Sequence, residues 1–170
     1  MNCFRPAAAA GALACALSTP QAAPFDHDPA LRAFLPRFQS ATEQFMNGNK
    51  QPWIDLASRR DDATIMGGWG AYERGWDQVG PRYDWAATRF RPSGAKLQVE
   101  VLSSGTSGDL AYVVSIERAA ALVVGKDKPR LHELRVTHLF SKEGGDWKLI
   151  HRHADPLMAK TAPDAVFSTR

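Results

Sequence analysis

Leu131-His132-Glu133-Leu134-Arg135-Val136-Thr137-His138-Leu139-Phe140-Ser141-Lys142, Glu143-Gly144-Gly145-Asp146 and Trp147-Lys148-Leu149-Ile150-His151-Arg152-His153-Ala154-Asp155 follow one another near the end of the chain. In the first stretch Leu134, Val136, His138 and Phe140 occupy every second position, the period of a strand with one buried face. Gly144-Gly145 supplies the positive φ angles that a two-residue hairpin turn requires. The third stretch is then the returning strand. Working backward, Leu110, Tyr112, Val114 and Ile116 alternate with Ala111, Val113 and Ser115, a strand apolar on both faces and therefore central. Leu97, Val99 and Val101 alternate with Gln98 and Glu100. Ser103 to Gly108 and Gly125 to Pro129 read as turns. Four consecutive strands with short turns predict an antiparallel meander, one face of which helices must cover.

The helices lie upstream. Asp28-Pro29 is a good N-cap followed by a good first helical residue. Leu31, Phe34, Leu35, Phe38, Ala41, Thr42 and Phe45 follow at helical spacing, with Pro36 as a point of kinking and Asn47-Gly48-Asn49 as the stop. Gln51 to Ser58 predicts a short second helix. A third carries Trp76, Val79, Tyr83, Ala87 and Phe90 on one side. Between them Ala63 to Met66 and Tyr72 to Gly75 are short strand candidates. The expected fold is α+β: N-terminal helices packed on a curved antiparallel sheet, a cone or roll with an internal pocket.

The chain has 170 residues, 44% of them hydrophobic and 23% charged, which suits one soluble domain. A net charge of +3 with scattered Lys and Arg gives no basic stripe, so a nucleic-acid partner is not expected. Residues 1–24 read as a signal peptide, from one positive charge, an Ala-rich run over Ala7 to Leu17, and small residues up to Pro24. That run is too short for a stable membrane span, which needs about 20 apolar residues. The expected location is periplasmic or secreted; a leader retained on a cytoplasmic protein is the alternative. The domain is expected over residues 25–160, with a flexible tail over 161–170. Both cysteines, Cys3 and Cys15, lie in the leader, so the domain has no thiol nucleophile and no thiolate metal site.

Asn47-Gly48-Asn49, Asp61-Asp62-Ala63-Thr64-Ile65, Tyr72-Glu73-Arg74-Gly75-Trp76, Leu134 to Phe140 and Gly145 to His153 together resemble the SnoaL-like branch of the nuclear transport factor 2-like superfamily. The ketosteroid isomerases share its fold. The resemblance implies a cone-shaped sheet, a deep and mostly apolar pocket for a small-molecule ligand, and often a homodimer through the sheet. It implies no single reaction. The catalytic Asp of the isomerases would fall near Met66, Gly67 and Gly68, and their helix Tyr near Thr42, so neither group carries over.

Candidate chemistry rests on the last strand. His151 and His153 share a parity with Trp147, Leu149 and Asp155, so they are expected on one face. The expected proton-transfer residues are His153, His138 and Asp155, acting without a cofactor. His138 joins them only if register and face agree, because a one-residue slip reverses the face. A His-x-His pair with a third ligand can also bind zinc or copper, but the missing thiols and the absence of a His-Glu-x-x-His motif weigh against it, and no metal is expected. Trp69, Trp76, Tyr112, Arg118 and His151 are the expected ligand-binding residues. Trp69 stands among glycines where folding alone needs no large ring. Arg118 shares a face with Tyr112 and has a fork of donors suited to an oxygen anion, while Glu117 points the other way. Arg135 and Arg152 are expected to face outward or toward a dimer partner. Two functions follow: a small-molecule acid/base enzyme of isomerase, cyclase, dehydratase or hydrolase type, or a non-catalytic ligand-binding or dimerising module.

Overall fold

The computed structural model describes residues 28–166, so the signal peptide expected over residues 1–24 and both cysteines lie outside the described residues. Helices α1 (Pro29–Phe45) and α2 (Gln51–Leu56) lead into a short hairpin, β1 (Thr64–Gly67) and β2 (Gly70–Arg74). Helix α3 (Trp76–Ala87) follows, then β3 (Phe90–Arg91), β4 (Leu97–Ser107), β5 (Leu110–Val123), β6 (Arg130–Glu143) and β7 (Asp146–Pro156). One 3-10 turn (Pro163–Val166) lies in the expected tail. The strands form a single curled sheet in the order β2-β1-β7-β6-β5-β3, with β4 also pairing β5. Among the described residues no helix is long and apolar enough to cross a membrane.

Three details differ from the expected meander. The sheet is mixed, because β1 runs parallel to β7, with Thr64 opposite His151 and Met66 opposite His153. A parallel pair needs a long connection, and α3 with the whole β3–β6 segment supplies it. Residues 103–107, expected as a turn, continue β4, and the chain reverses at Gly108-Asp109 instead. β4 takes its pairing from β5 alone, which carries the small polar residues along despite their poor strand preference. Phe90, expected on the third helix, opens β3.

Helix α1 lies over the concave side of the sheet and stays one element through Pro36. Asp28 caps it, accepting from the Ala30 amide at 2.8 Å. Its position is set by a polar stripe four residues apart, which falls on one helical face. Gln39 donates to the Leu97 carbonyl, and Glu43 accepts from the Leu97 amide. Asn47 accepts from the amides of Ser93 and Ala95 and donates to the carbonyls of Glu43 and Ala95. The Asn47 motif therefore ties the end of α1 to the start of β4. Replacing Asn47 by Ala removes all four bonds and is expected to lower stability by about 2–3 kcal/mol in urea unfolding. A loss below about 0.5 kcal/mol would mean that water replaces the stitch at no cost.

Aromatic rings fill the space between helices and sheet. Phe38 stands 5.1 Å from Phe140 and 4.9 Å from Trp53, and Phe45 stands 5.5 Å from Trp53. Phe140 is fully buried. Phe45 and Trp53 line one hollow of the domain, and Phe38 and Phe140 line another.

Candidate functional site

Alternation on β5 and β6 turns Ser115, Glu117, Leu134, Val136 and His138 to the concave side, where all five are buried. On β7 the alternation is interrupted. Leu139 pairs with His151, but Phe140 pairs with Leu149, so Ile150 is an extra residue. Such a bulge adds one residue to one strand and reverses every later side chain. Trp147 and Leu149 before it are buried, and after it Arg152 and Ala154 point inward.

Arg152 meets Glu117 through two parallel bonds, Nη1 to Oε1 at 3.1 Å and Nη2 to Oε2 at 2.7 Å. Their side chains are 11% and 7% exposed, so the pair is nearly dry. The same Nη1 bonds the Nε2 of His138, and the guanidinium lies over the Trp53 ring at 5.6 Å. Burial raises the Glu117 carboxyl, but the Arg152 charge and its two bonds outweigh that, and the group lies below its ordinary range. Burial and then the Arg152 charge push His138 down to about 3. His138 is therefore neutral. Its Nε2 accepts from Arg152, which places the ring proton on Nδ1. His138 Nε2 also lies 3.8 Å from Glu117 Oε1, yet a neutral ring makes no ion pair there.

A hollow of about 90 Å³ lies against this cluster. Trp53, Ile65, Tyr83, Phe90 and Leu134 give it apolar walls, and Glu117, Arg152 and His132 give it a polar floor. His132 is lowered by burial and then by Arg152, which leaves it neutral near pH 7. Among the described residues no hydrogen bond reaches its ring, which is tilted against Phe90 at 6.5 Å between centroids. Burial pushes the Tyr83 phenol up to about 12, so it remains a neutral donor. At the mouth Trp69 leans on Phe90 at 5.4 Å and on Trp85 at 5.6 Å. Arg82 closes one side, held by the Gly70 carbonyl at 2.7 Å and by Glu73 at 3.4 Å. A second hollow of about 440 Å³ runs between α1 and β4–β5 and shares Thr42, Leu97 and Glu117 with the first.

The structure separates the expected site residues. His138 and Trp69 face these hollows. His153 is exposed on the outer face of the sheet, beside Asp155, whose carboxylate pairs with Arg135. His151 is on the same outer face and hydrogen-bonds through Nδ1 to Thr64 Oγ1 at 2.8 Å. Tyr112 is also outside, 39% exposed, with its hydroxyl 3.3 Å from Ser103. Arg118 is outside as well, bridging Glu100 and Glu133. Trp76 packs under Gly80 with Arg59 over its ring, away from the hollows. The expectation that His151 and His153 share the face of Trp147 is thus corrected by the bulge, and so is the outward placement expected for Arg152. Arg135 does face outward. Among the described residues no three His, Cys, Asp or Glu side chains gather as a metal site.

Glu117, Arg152 and His132 are the residues that sequence reasoning did not gather. His132 had a signal, since it shares the parity of Leu134, Val136 and His138. The adjacent apolar pair Leu149-Ile150 is the trace of the bulge. Nothing local tied Arg152 to Glu117, which is 35 residues away.

A curled sheet with helices across its concave face and a hollow within defines a cone-fold domain. The chain belongs to the SnoaL-like domain family, whose pattern it matches over residues 37–159. Its structure is similar to a nuclear transport factor 2-like superfamily protein from Salmonella enterica serovar Typhimurium. The identity is 16%, the match covers 81% of this chain and 94% of that one, and the TM-score is 0.65. It is also similar to a protein assigned as a dehydratase of the NTF2-like family from Streptomyces avermitilis (18% identity, 76% and 95% coverage, TM-score 0.61). A third likeness is to the CaMKII hub of S. rosetta (18%, 76% and 98%, TM-score 0.55). At these identities the likeness is one of fold. No match was found among curated proteins.

Proposed function

We propose that this chain binds a small, largely apolar molecule in the cone hollow and performs proton transfer on it without a cofactor, with His132 as the base. The observation that carries this is a neutral imidazole, free of hydrogen bonds to the described residues, on the polar floor of an otherwise apolar hollow. A base needs an unprotonated nitrogen within reach of the ligand. Glu117 and Arg152 beside it form a fixed dipole that can stabilise charge as it develops. The assignment of a structural neighbour as a dehydratase is consistent with such chemistry. The closed bonding among Glu117, Arg152 and His138 favours a second reading, in which the hollow binds its ligand without turnover.

Cyclohexanone in D2O separates the two, because a base in the hollow removes its α-protons. Proton NMR is expected to show saturable acceleration of exchange that rises with pH and levels off by about pH 7, as His132 deprotonates below its ordinary value of 6.5. His132→Asn is expected to abolish the acceleration and to keep binding. Ala119→Leu, which fills the hollow, is expected to abolish both. Saturable binding with no acceleration would support the second reading. We further infer a homodimer through the outer face, where Leu110, Tyr112 and Leu139 are exposed side by side. We infer export to the periplasm from the signal-like pattern of residues 1–24.

A further inference from the structure

The larger hollow has chemistry of its own. One wall is α1, through Leu35, Phe38 and Thr42, and the other is β4–β5, through Val99, Val101 and Val113. Along α1 it extends from Arg32 to Thr42, roughly 15 Å at 1.5 Å per residue. Its sides are apolar, and its floor is not. Ser115 is 1% exposed, and its hydroxyl lacks any protein hydrogen-bond partner among the described residues. A buried hydroxyl left unpaired is costly, and such groups are rare without a function. His138 lines the same floor and, with its Nε2 taken by Arg152, carries its proton on Nδ1. No protein acceptor for that proton is recorded among the described residues. Val113 is paired with His138, and Ser115 follows two residues along β5 on the same face.

From this geometry we infer a second ligand site: the trough between α1 and β4–β5 takes an elongated, uncharged, lipid-like molecule whose single carbonyl or hydroxyl oxygen bonds Ser115 Oγ and His138 Nδ1. The trough's length and apolar walls select the chain. The floor selects an uncharged head. The charged groups lining the trough are Arg32 at its rim and Glu117, and Glu117 is already neutralised by Arg152. A charged head at Ser115 finds no free counter-charge there. This site stands apart from the proton-transfer reading of the cone hollow, although Glu117 lies between the two.

The test is titration of the 15N-labelled chain with 1-octanol, followed by amide shifts. Saturable shifts are expected at Val99, Val113 and Ser115, with sodium octanoate and octylammonium at least tenfold weaker. Ser115→Ala is expected to weaken octanol about five- to tenfold, the effect of one hydrogen bond, without lowering the melting temperature. Val99→Phe is expected to close the trough and abolish the shifts. Ala119→Leu, which fills the other hollow, is expected to leave octanol affinity unchanged and so keeps the two sites distinguishable. The site is overturned if octanol does not saturate, if its shifts gather at Trp69 and Phe90 instead, or if Ser115→Ala binds it equally well. The last result would mean that the hydroxyl is merely hydrated.

Discussion

Glu117→Leu is expected to lower the unfolding free energy by about 3–5 kcal/mol, and Arg152→Met by a similar amount, while the double variant recovers most of that loss. Each single change strands a charge. Glu117 and Arg152 are joined by two hydrogen bonds, with side chains only 7% and 11% exposed. Removing the carboxylate leaves a guanidinium whose remaining partners are the neutral His138 and the Trp53 ring. Removing the guanidinium leaves a dry carboxylate, which must then take up a proton to remain buried. Replacing both by apolar groups removes the desolvation cost with the attraction, so the pair contributes little net stability while its halves matter greatly. Urea unfolding of the four proteins measures this as a coupling energy. Additive losses, with the double variant the least stable, would refute a shared and nearly dry pair.

The second large effect is loss of stability in acid. His138 is depressed to about 3 in the fold and titrates near its ordinary value of 6.5 when unfolded. Between these values the unfolded chain holds more protons, so stability rises with pH through that interval. The contribution is complete above about pH 6.5 and falls as pH drops toward 3, by at most about 1.4 kcal/mol per unit for this group. His132 and His151, also lowered, act in the same direction. Glu117 is depressed too. Its contribution is present above the ordinary value of 4.5 and is lost as pH falls through the folded value, which steepens the curve at its acid end. Thermal melting from pH 8 to 4 is expected to be flat at first and then to fall below about pH 6.5. His138→Gln keeps an acceptor for Arg152 and does not titrate, so it is expected to flatten the curve. An unchanged acid slope in that variant would remove His138 as its source.

The elements were legible because their signals are local. The Asp28-Pro29 start, the helical spacing from Leu31 to Phe45, the period-two runs in β4 to β7 and the Gly144-Gly145 turn each depend on neighbours within a few residues. Asn47 was visible as a helix stop, but its four bonds to α1 and the 93–95 segment were not, since three of them lie 46 to 48 residues along the chain. The site was legible only in part. His138 was placed by the alternation of β6. His153, Asp155, His151, Tyr112 and Arg118 fall on the outer face, while Arg152 joins Glu117 and His138 in the bonded cluster and the half-buried His132 lines the hollow beside it.

The sequence by itself determined the element order, the antiparallel pairing of the four long strands, and the buried face of β6; β5 is apolar on both faces, and its pairing turns Glu117 inward and Tyr112 and Arg118 outward, the reverse of the expectation. Tertiary structure alone decided which side chains of the last strand enter the cone. That choice rests on one extra residue, Ile150, whose accommodation depends on how β6 and β7 pair along their whole length. Alternation is a property of one strand, and register belongs to two. A single-residue shift between them exchanged His153 for Arg152 at the wall of the hollow, and brought Arg152 to a carboxylate that no local pattern had linked to it.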